Sequence, residues 1–511
     1  MEPRELKAAM ERCDWIFDFF AIGYDYLASR PSQPESLLER LAHNSNPELR
    51  QRIAESDGDL PALIFSFLGV PFRRWAGMSD SHLESDDFCF KLLSVLWQID
   101  RAAADLNYFK TGASRTAWPR VRIHLQQSGL QLNRDHRLVT VRPPHLENKK
   151  WWRAAKRAKW SLLERGQNLD PLFQNLARVA EVPGATFVLT TQLPAIYDRL
   201  EPDKDTLKIG VVPLIHDMRV GSAAAELLPG PLRVLPRTTP SKFGSAVENL
   251  FAVEIDGTGT AAMEALAARA ASATQAACDN AVEVLVFPEL VVPDEVVRAI
   301  TWVLQSNARR GAHTPRLTVA GSFGRRNRNG RRYNEAIVLD GSGGELHRQR
   351  KMHAYEMHPY EQDKYGLRAL FGGVPRQEDF DISPRQLAFF DSRAAGYRTA
   401  VLICEDAAQP NPGRQAAAAW HATMVLVPVM AGALEENSWC WNTAEYFAAD
   451  AGALTVVANS GGLPRAQYRK DSKSAEPPLA VFGAPIADPQ YKNVRNGTDG
   501  AGTGLILFSI P

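Results

Sequence analysis

The chain has 511 residues, 45% of them hydrophobic, with 59 Lys plus Arg against 58 Asp plus Glu. That length is more than one ordinary core accommodates, so two or three domains are expected. The near-zero net charge excludes a global field that would draw nucleic acid or a membrane, so any such attraction needs a local cluster.

The N-terminus, MEPRELKAAMERCDW, lacks the basic start and apolar core of an export signal, and no apolar run reaches membrane-spanning length. Cys13, Cys89, Cys278, Cys404 and Cys440 show no paired spacing of the kind found in disulfide frames or zinc sites. The expectation is a cytoplasmic, reduced protein with no membrane contact, metal or cofactor, in which a catalytic thiol stays usable.

From Leu6 to about Phe109 apolar residues recur at three and four positions, as in Phe90–Tyr108, which predicts helices. Between Pro119 and Pro143 a helix-like stretch precedes two short alternating runs, Leu130–Leu132 and Arg137–Val141, a pattern shared by winged-helix modules and by any helix followed by a hairpin. Residues 1–200 therefore read as a mainly helical domain that ends in the linker Glu201–Asp205. Its segment 148–165 sets seven Lys or Arg beside Trp151, Trp152 and Trp160. That segment fits a nucleic-acid or protein partner, or an amphipathic helix packed on its neighbour.

After Thr206 short apolar runs alternate with helical stretches. Strands are predicted at Lys208–Leu214, Val282–Phe287, Leu317–Ser322, Glu335–Asp340, Thr399–Cys404, Met424–Val429 and Leu454–Asn459, with a helix over Thr260–Ala277. Residues 205–511 thus read as a layered α/β domain. Pro, Gly and Thr punctuate an insertion loop at about 215–245. The Arg-rich run Arg325–Arg332 reads as a hairpin loop.

Three of the strand-like runs end in reactive groups: VLVFPEL places Glu289 after a strand, HRQRKMH places Lys351, and VLICED places Cys404. A carboxylate, an ammonium and a thiol held together supply the base, oxyanion donor and nucleophile of an acyl-transfer site. Taken singly, each has a plainer role as loop cap, solvated lysine or small buried hydrophobe. Cys440 follows no strand and is not expected to act as a nucleophile.

In order, spacing and context the three segments resemble the carbon-nitrogen hydrolase family, also called the nitrilase superfamily. That family has a Glu in a pattern like VxFPE, a Lys in RKxH and a Cys in ICxD. Here they stand as Val286-Phe287-Pro288-Glu289, Arg350-Lys351-Met352-His353 and Ile403-Cys404-Glu405-Asp406. Ala320-Gly321-Ser322, Tyr333-Asn334-Glu335-Ala336, Leu426-Val427-Pro428 and Val457-Ala458-Asn459 also fit. The turn Leu290–Pro293 departs by lacking the Gly or Tyr often found there.

The resemblance implies a nitrilase-like αββα sandwich behind the mainly α-helical N-terminal domain, and a thioester mechanism on a small amide or nitrile. Glu289 would take the Cys404 proton, while Lys351 and the Glu405 backbone N–H would hold the oxyanion. A second glutamate between the lysine and the cysteine would be Glu361 rather than Glu356, and Trp439, Trp441 and Tyr355 would line the pocket. The resemblance further implies a homodimer formed through the domain that begins near Lys208. Two rival readings remain: an inactive binding or scaffold protein, and an amidase effector recruited by the N-terminal domain.

Overall fold

In a computed structural model the described residues are 2–11, 16–29, 79–102, four short strands between 131 and 190, and most of 207–510. The basic segment 148–165 lies outside them, as does the helix-like part of Pro119–Pro143.

The N-terminal pattern forms helices at Pro3–Glu11, Ile16–Ala28, Asp80–Leu83 and Asp86–Ala102. Phe19, Phe20, Phe88, Leu92 and Leu96 are buried among them. Gly23 sits at the closest approach, where a Cβ would come within 2.9 Å of Leu96. The two alternating runs pair as the hairpin strands β1 (Gln131–Leu132) and β2 (Leu138–Val141), joined by β3 (Leu176–Val179) in a small antiparallel sheet.

Strands β4 (Thr186–Thr190), β5 (Leu207–Val211), β6 (Met218–Arg219), β7 (Leu232–Pro240) and β8 (Val247–Ile255) precede the helix Ala261–Asp279. Then come β9 (Val284–Val286), the helix Asp294–Arg309, β10 (Leu317–Arg326), β11 (Arg332–Asp340), β12 (Glu345–Arg350) and β13 (Glu356–Met357). Short helices Pro359–Lys364 and Arg368–Phe371 lead to β14 (Arg376–Glu378), β15 (Gln386–Ser392) and β16 (Tyr397–Val401). The rest is a one-turn helix Glu405–Ala408, β17 (Met424–Val429), helix Trp439–Ala449, β18 (Leu454–Asn459), helix Gly462–Lys470, β19 (Ala480–Gly483), β20 (Val494–Gly497) and β21 (Ile506–Ile510).

These strands make two large sheets, in the orders β12-β11-β10-β9-β5-β21 and β20-β19-β18-β17-β16-β15-β4. The central strands β5, β9 and β10 run parallel, as do β16, β17 and β18. β17 and β18 are buried throughout, as expected of parallel strands covered on both faces. Side-chain alternation sorts the layers. Val284 and Val286 join Ile209, Val319 and Val338 in a core shared with Phe389, Leu426 and Val456 of the second sheet. Leu285 points the other way, into a cluster with Leu266 and Ala270 of helix Ala261–Asp279 and Ile300 of helix Asp294–Arg309. Helix Trp439–Ala449 packs on β18 and β19 of the second sheet. The order helix, sheet, sheet, helix is the expected αββα sandwich.

Two features depart from the sequence expectation. The segment read as an insertion loop contributes β6 and β7. β7 pairs with β8 along its whole length, in a five-stranded sheet with β13 and β14. In addition, β4, which lies before residue 200, pairs in parallel with β15 and forms the edge of the second large sheet. The Arg-rich hairpin is present, with Arg326 opposite Arg332.

Because β4 covers β15, a chain starting at residue 205 should expose the β15 backbone from Gln386 to Phe390 as an open edge. Each ladder hydrogen bond lost is worth about 1 kcal/mol. We expect that fragment to self-associate and to unfold at lower urea than one starting at residue 181. Solution mass and urea titration of the two fragments check this, and equal behaviour would count against a structural role for β4.

Candidate functional site

Glu289, Lys351 and Cys404 each leave a strand at its C-terminal end, and backbone hydrogen bonds carry the three segments past the regular strands. Phe287 N donates to Val319 O at 2.9 Å, Lys351 N to Asn334 O at 2.9 Å, and Cys404 N to Pro428 O at 2.9 Å. The turn after Glu289 is held by β10. Ser322 N donates to Pro288 O at 3.1 Å, and Leu290 N donates to Ser322 Oγ at 3.2 Å. This contact requires Gly321, whose φ is +63° and whose Cβ, if present, would lie 2.3 Å from Pro288 O.

The charged groups meet in a buried interior. Lys351 Nζ donates to Glu289 Oε1 at 2.8 Å and to Glu378 Oε2 at 2.6 Å, with the lysine side chain only 1% exposed. Glu289 is fixed by two further donors, Asn334 Nδ2 to Oε1 at 2.8 Å and Met430 N to Oε2 at 2.9 Å. Glu378 Oε2 also accepts from Tyr355 N at 2.9 Å. Cys404 is buried, and its backbone, at φ 49° and ψ −109°, is strained for a residue with a side chain. Such a conformation costs roughly 1–3 kcal/mol and persists only where its surroundings over-determine it.

Burial and charge set the protonation states. Burial opposes the Lys351 ammonium, but the charges of Glu289 and Glu378 outweigh it and hold its pKa well above the ordinary lysine value. Burial pushes the Glu378 carboxyl up to about 7; Lys351 pulls it down and Glu289 adds to the rise. Burial, reinforced by Glu289, also drives the Cys404 thiol well above the ordinary value, with Lys351 opposing. The resting sulfur is therefore a thiol, and a base must take its proton before it can attack.

A cavity of about 150 Å³ opens onto this cluster, with Glu289, Glu378, Cys404 and Glu405 in its lining. Residues 254–467 match the family model of the carbon-nitrogen hydrolases. This part of the chain is a carbon-nitrogen hydrolase domain. No curated protein matches the sequence.

Among solved structures, an amidase from Nesterenkonia sp. is 18% identical, with 60% of this chain and 90% of that chain covered and a TM-score of 0.33. A double mutant of the Nesterenkonia sp. AN1 amidase in complex with acrylamide is 17% identical, with 61% and 94% covered and a TM-score of 0.34. Nit3 of Saccharomyces cerevisiae, a member of branch 10 of the nitrilase superfamily, is 13% identical, with 60% and 90% covered and a TM-score of 0.34.

The hydrolase domain places the other sequence-derived candidates as follows. Tyr355 and Trp439 line the cavity, whereas Trp441 does not; it packs against the inter-sheet core. Glu405 lines the cavity, its carboxylate accepting from Gln409 Nε2. Its backbone N–H opens the one-turn helix and so lies among the amides that lack an intrahelical acceptor.

The second carboxylate at the lysine is Glu378, which corrects the expectation of Glu361. Glu361 reaches back to cap its own helix, accepting from His358 N at 2.9 Å, and it lines the cavity wall beside Tyr355 and Tyr360. Glu356 is exposed. Nothing in the sequence marked Glu378, because it ends a three-residue strand in a charged stretch with no apolar run before it. Asn334 belongs to a sequence pattern that matches the family, but its donation to Glu289 is a tertiary fact. Arg325 of the basic hairpin is spent on Asp294, at 2.7 Å, and on the carbonyls of Glu335 and Val292.

The raised Glu378 pKa has a consequence for stability. The folded value, about 7, lies above the ordinary 4.5, so between them the folded state holds a proton that the unfolded state has lost. This contribution is fully present below the unfolded pKa and is lost as pH rises through the folded one, at about 1.4 kcal/mol per pH unit for one proton. Urea unfolding from about pH 5 to about pH 7 should therefore show a shallower decline in Glu378→Gln than in the wild type. An unchanged slope would mean that Glu378 is ionised throughout.

Proposed function

We propose that the domain is a cysteine-dependent amidase that cleaves a non-peptide carbon-nitrogen bond through a thioester on Cys404. The observation that carries this reading is the buried ammonium of Lys351, shared by two carboxylates beside a buried thiol on a strained turn. An ion cluster contributes little net stability when buried, because desolvation consumes most of the Coulomb attraction. A packed apolar core needs no such cluster, and a chemical role accounts for it.

In the proposed reaction Glu289 takes the Cys404 proton and the sulfur attacks the amide carbon. The carbonyl π pair moves to oxygen, where Lys351 and the Glu405 backbone N–H stabilise the charge. The carbonyl re-forms as the C–N bond breaks, Glu289 passes its proton to the departing amine, and a thioester remains. Glu289 then draws a proton from water, which attacks the thioester, and the acid leaves as the thiol is restored. Glu378 and Asn334 keep Lys351 and Glu289 aligned through these steps.

The cavity limits the acyl group. A space of about 150 Å³ accommodates a group about the size of a benzene ring. A folded peptide chain does not fit, so the substrate class is a small amide; the same space admits a small nitrile, which competition with an amide would detect.

Cys404→Ala should abolish turnover of small amides and the mass adduct formed by an amide-derived electrophile, while circular dichroism stays unchanged. Glu289→Gln keeps the shape but removes the proton shuttle, so kcat should fall at least about 10³-fold. Cys440→Ala should retain most activity, because Cys440 is fully buried in helix Trp439–Ala449 and does not line the cavity. Turnover that survives in Cys404→Ala but disappears in Cys440→Ala would move the nucleophile.

A further inference from the structure

The carboxylate of Asp406, fully buried two residues after the cysteine, touches neither Cys404 nor Lys351 through any of its hydrogen bonds, yet it joins the segments that carry them. Its Oδ1 accepts from Met352 N at 2.9 Å, His353 N at 2.8 Å and His353 Nδ1 at 3.1 Å. These donors belong to the two residues that follow Lys351. Its Oδ2 accepts from Ile403 N at 3.3 Å, and its own backbone N donates to Ile403 O at 3.0 Å. Ile403 is thus gripped on both sides immediately before the strained Cys404.

The two linked segments come from different sheets: β12 delivers Lys351 from the first, and β16 delivers Cys404 from the second. Within the core the sheets are tied by Gln349 of β12, whose Nε2 donates to Gln386 O of β15 at 2.6 Å and whose Oε1 accepts from Ala388 N at 3.1 Å; Asp406 ties the segments that run on past the strand ends. The strained φ of Cys404 makes a clamp more necessary, because the turn gains by relaxing.

We propose that Asp406 is a positioning residue that ties the Lys351 strand end to the Cys404 turn and sets the separation of nucleophile and oxyanion donor. An aspartate suits this role because its two oxygens together accept four N–H groups, whereas an asparagine of the same size turns an NH₂ toward some of those donors. The effect on turnover rests on the amidase reading above; the effect on thiol reactivity does not.

The test compares the full-length wild type with Asp406→Asn and His353→Phe. It measures kcat and KM on a small amide, and the rate at which iodoacetamide alkylates Cys404, followed by mass and expressed per alkylatable site. A misplacement of about 1 Å costs about 100-fold in rate, so Asp406→Asn should lose about that factor in kcat with KM within about threefold, and its Cys404 alkylation should slow about tenfold. His353→Phe removes one of the four donors and should show the same pattern at about tenfold in kcat.

A folded Asp406→Asn with wild-type kcat per site, or with its whole loss in KM, overturns the proposal. Should Asp406→Asn fail to fold, wild-type kcat and alkylation in His353→Phe overturn it equally. If the wild type turns over no amide while alkylation still slows in both variants, the amidase reading fails and the positioning role stands.

Discussion

The Lys351 ammonium, buried between Glu289 and Glu378, is the constraint on which the rest of the site depends. A charge taken this far from water costs several kcal/mol unless it is matched nearby. Two carboxylates share it, and burial, with Lys351 pulling the other way and the Glu289 charge adding to the rise, lifts the Glu378 carboxyl to about 7. The carboxylate that keeps its three donors is Glu289.

The groups converge from separate parts of the fold. Glu289 follows β9 and Lys351 follows β12 of the first sheet, Glu378 ends β14 of the five-stranded sheet, and Cys404 follows β16 of the second large sheet. Strand ends suit this task because a strand fixes its last residue through the neighbouring backbone, while the residue beyond it is free to face a cavity. Polar groups tie the sheets together: Gln349 of β12 bonds to the Gln386 and Ala388 backbone of β15 within the sandwich, and Asp406 joins the segments beyond the strand ends.

Much of this was legible in the sequence. Val284–Val286, Met424–Val429 and Leu454–Asn459 are apolar on both faces, a pattern that strands covered on both sides impose and that loops do not tolerate. Glu289 and Cys404 could be read because each follows such a run with a reactive group, whereas Lys351 follows the charged strand Glu345–Arg350 and is legible only through the family pattern it matches. Glu378 could not, because its strand is short and its significance is a 2.6 Å contact with a lysine in another sheet. β4 looks like any short strand, and only its pairing with β15 reveals that it completes the second sheet. The resemblance implies Glu361 as the second glutamate, but helix capping, a local demand, claims that carboxylate.

In the proposed reaction the charge balance is what lets so buried a site carry out polar chemistry. In the proposed attack Glu289 gains a proton as the substrate oxygen gains a negative charge, so the charge facing Lys351 moves from one neighbour to another and the total is conserved. Creating a new charge in a low-dielectric pocket would be prohibitive, whereas relocating one around a fixed ammonium requires little reorganisation. That arrangement works only if Lys351 stays in place while its partner changes. Glu378 supplies this constancy by holding Nζ from the far side throughout. In the proposed reaction the second glutamate, with no part in proton transfer, is thus what allows the first to give up its charge without releasing the lysine.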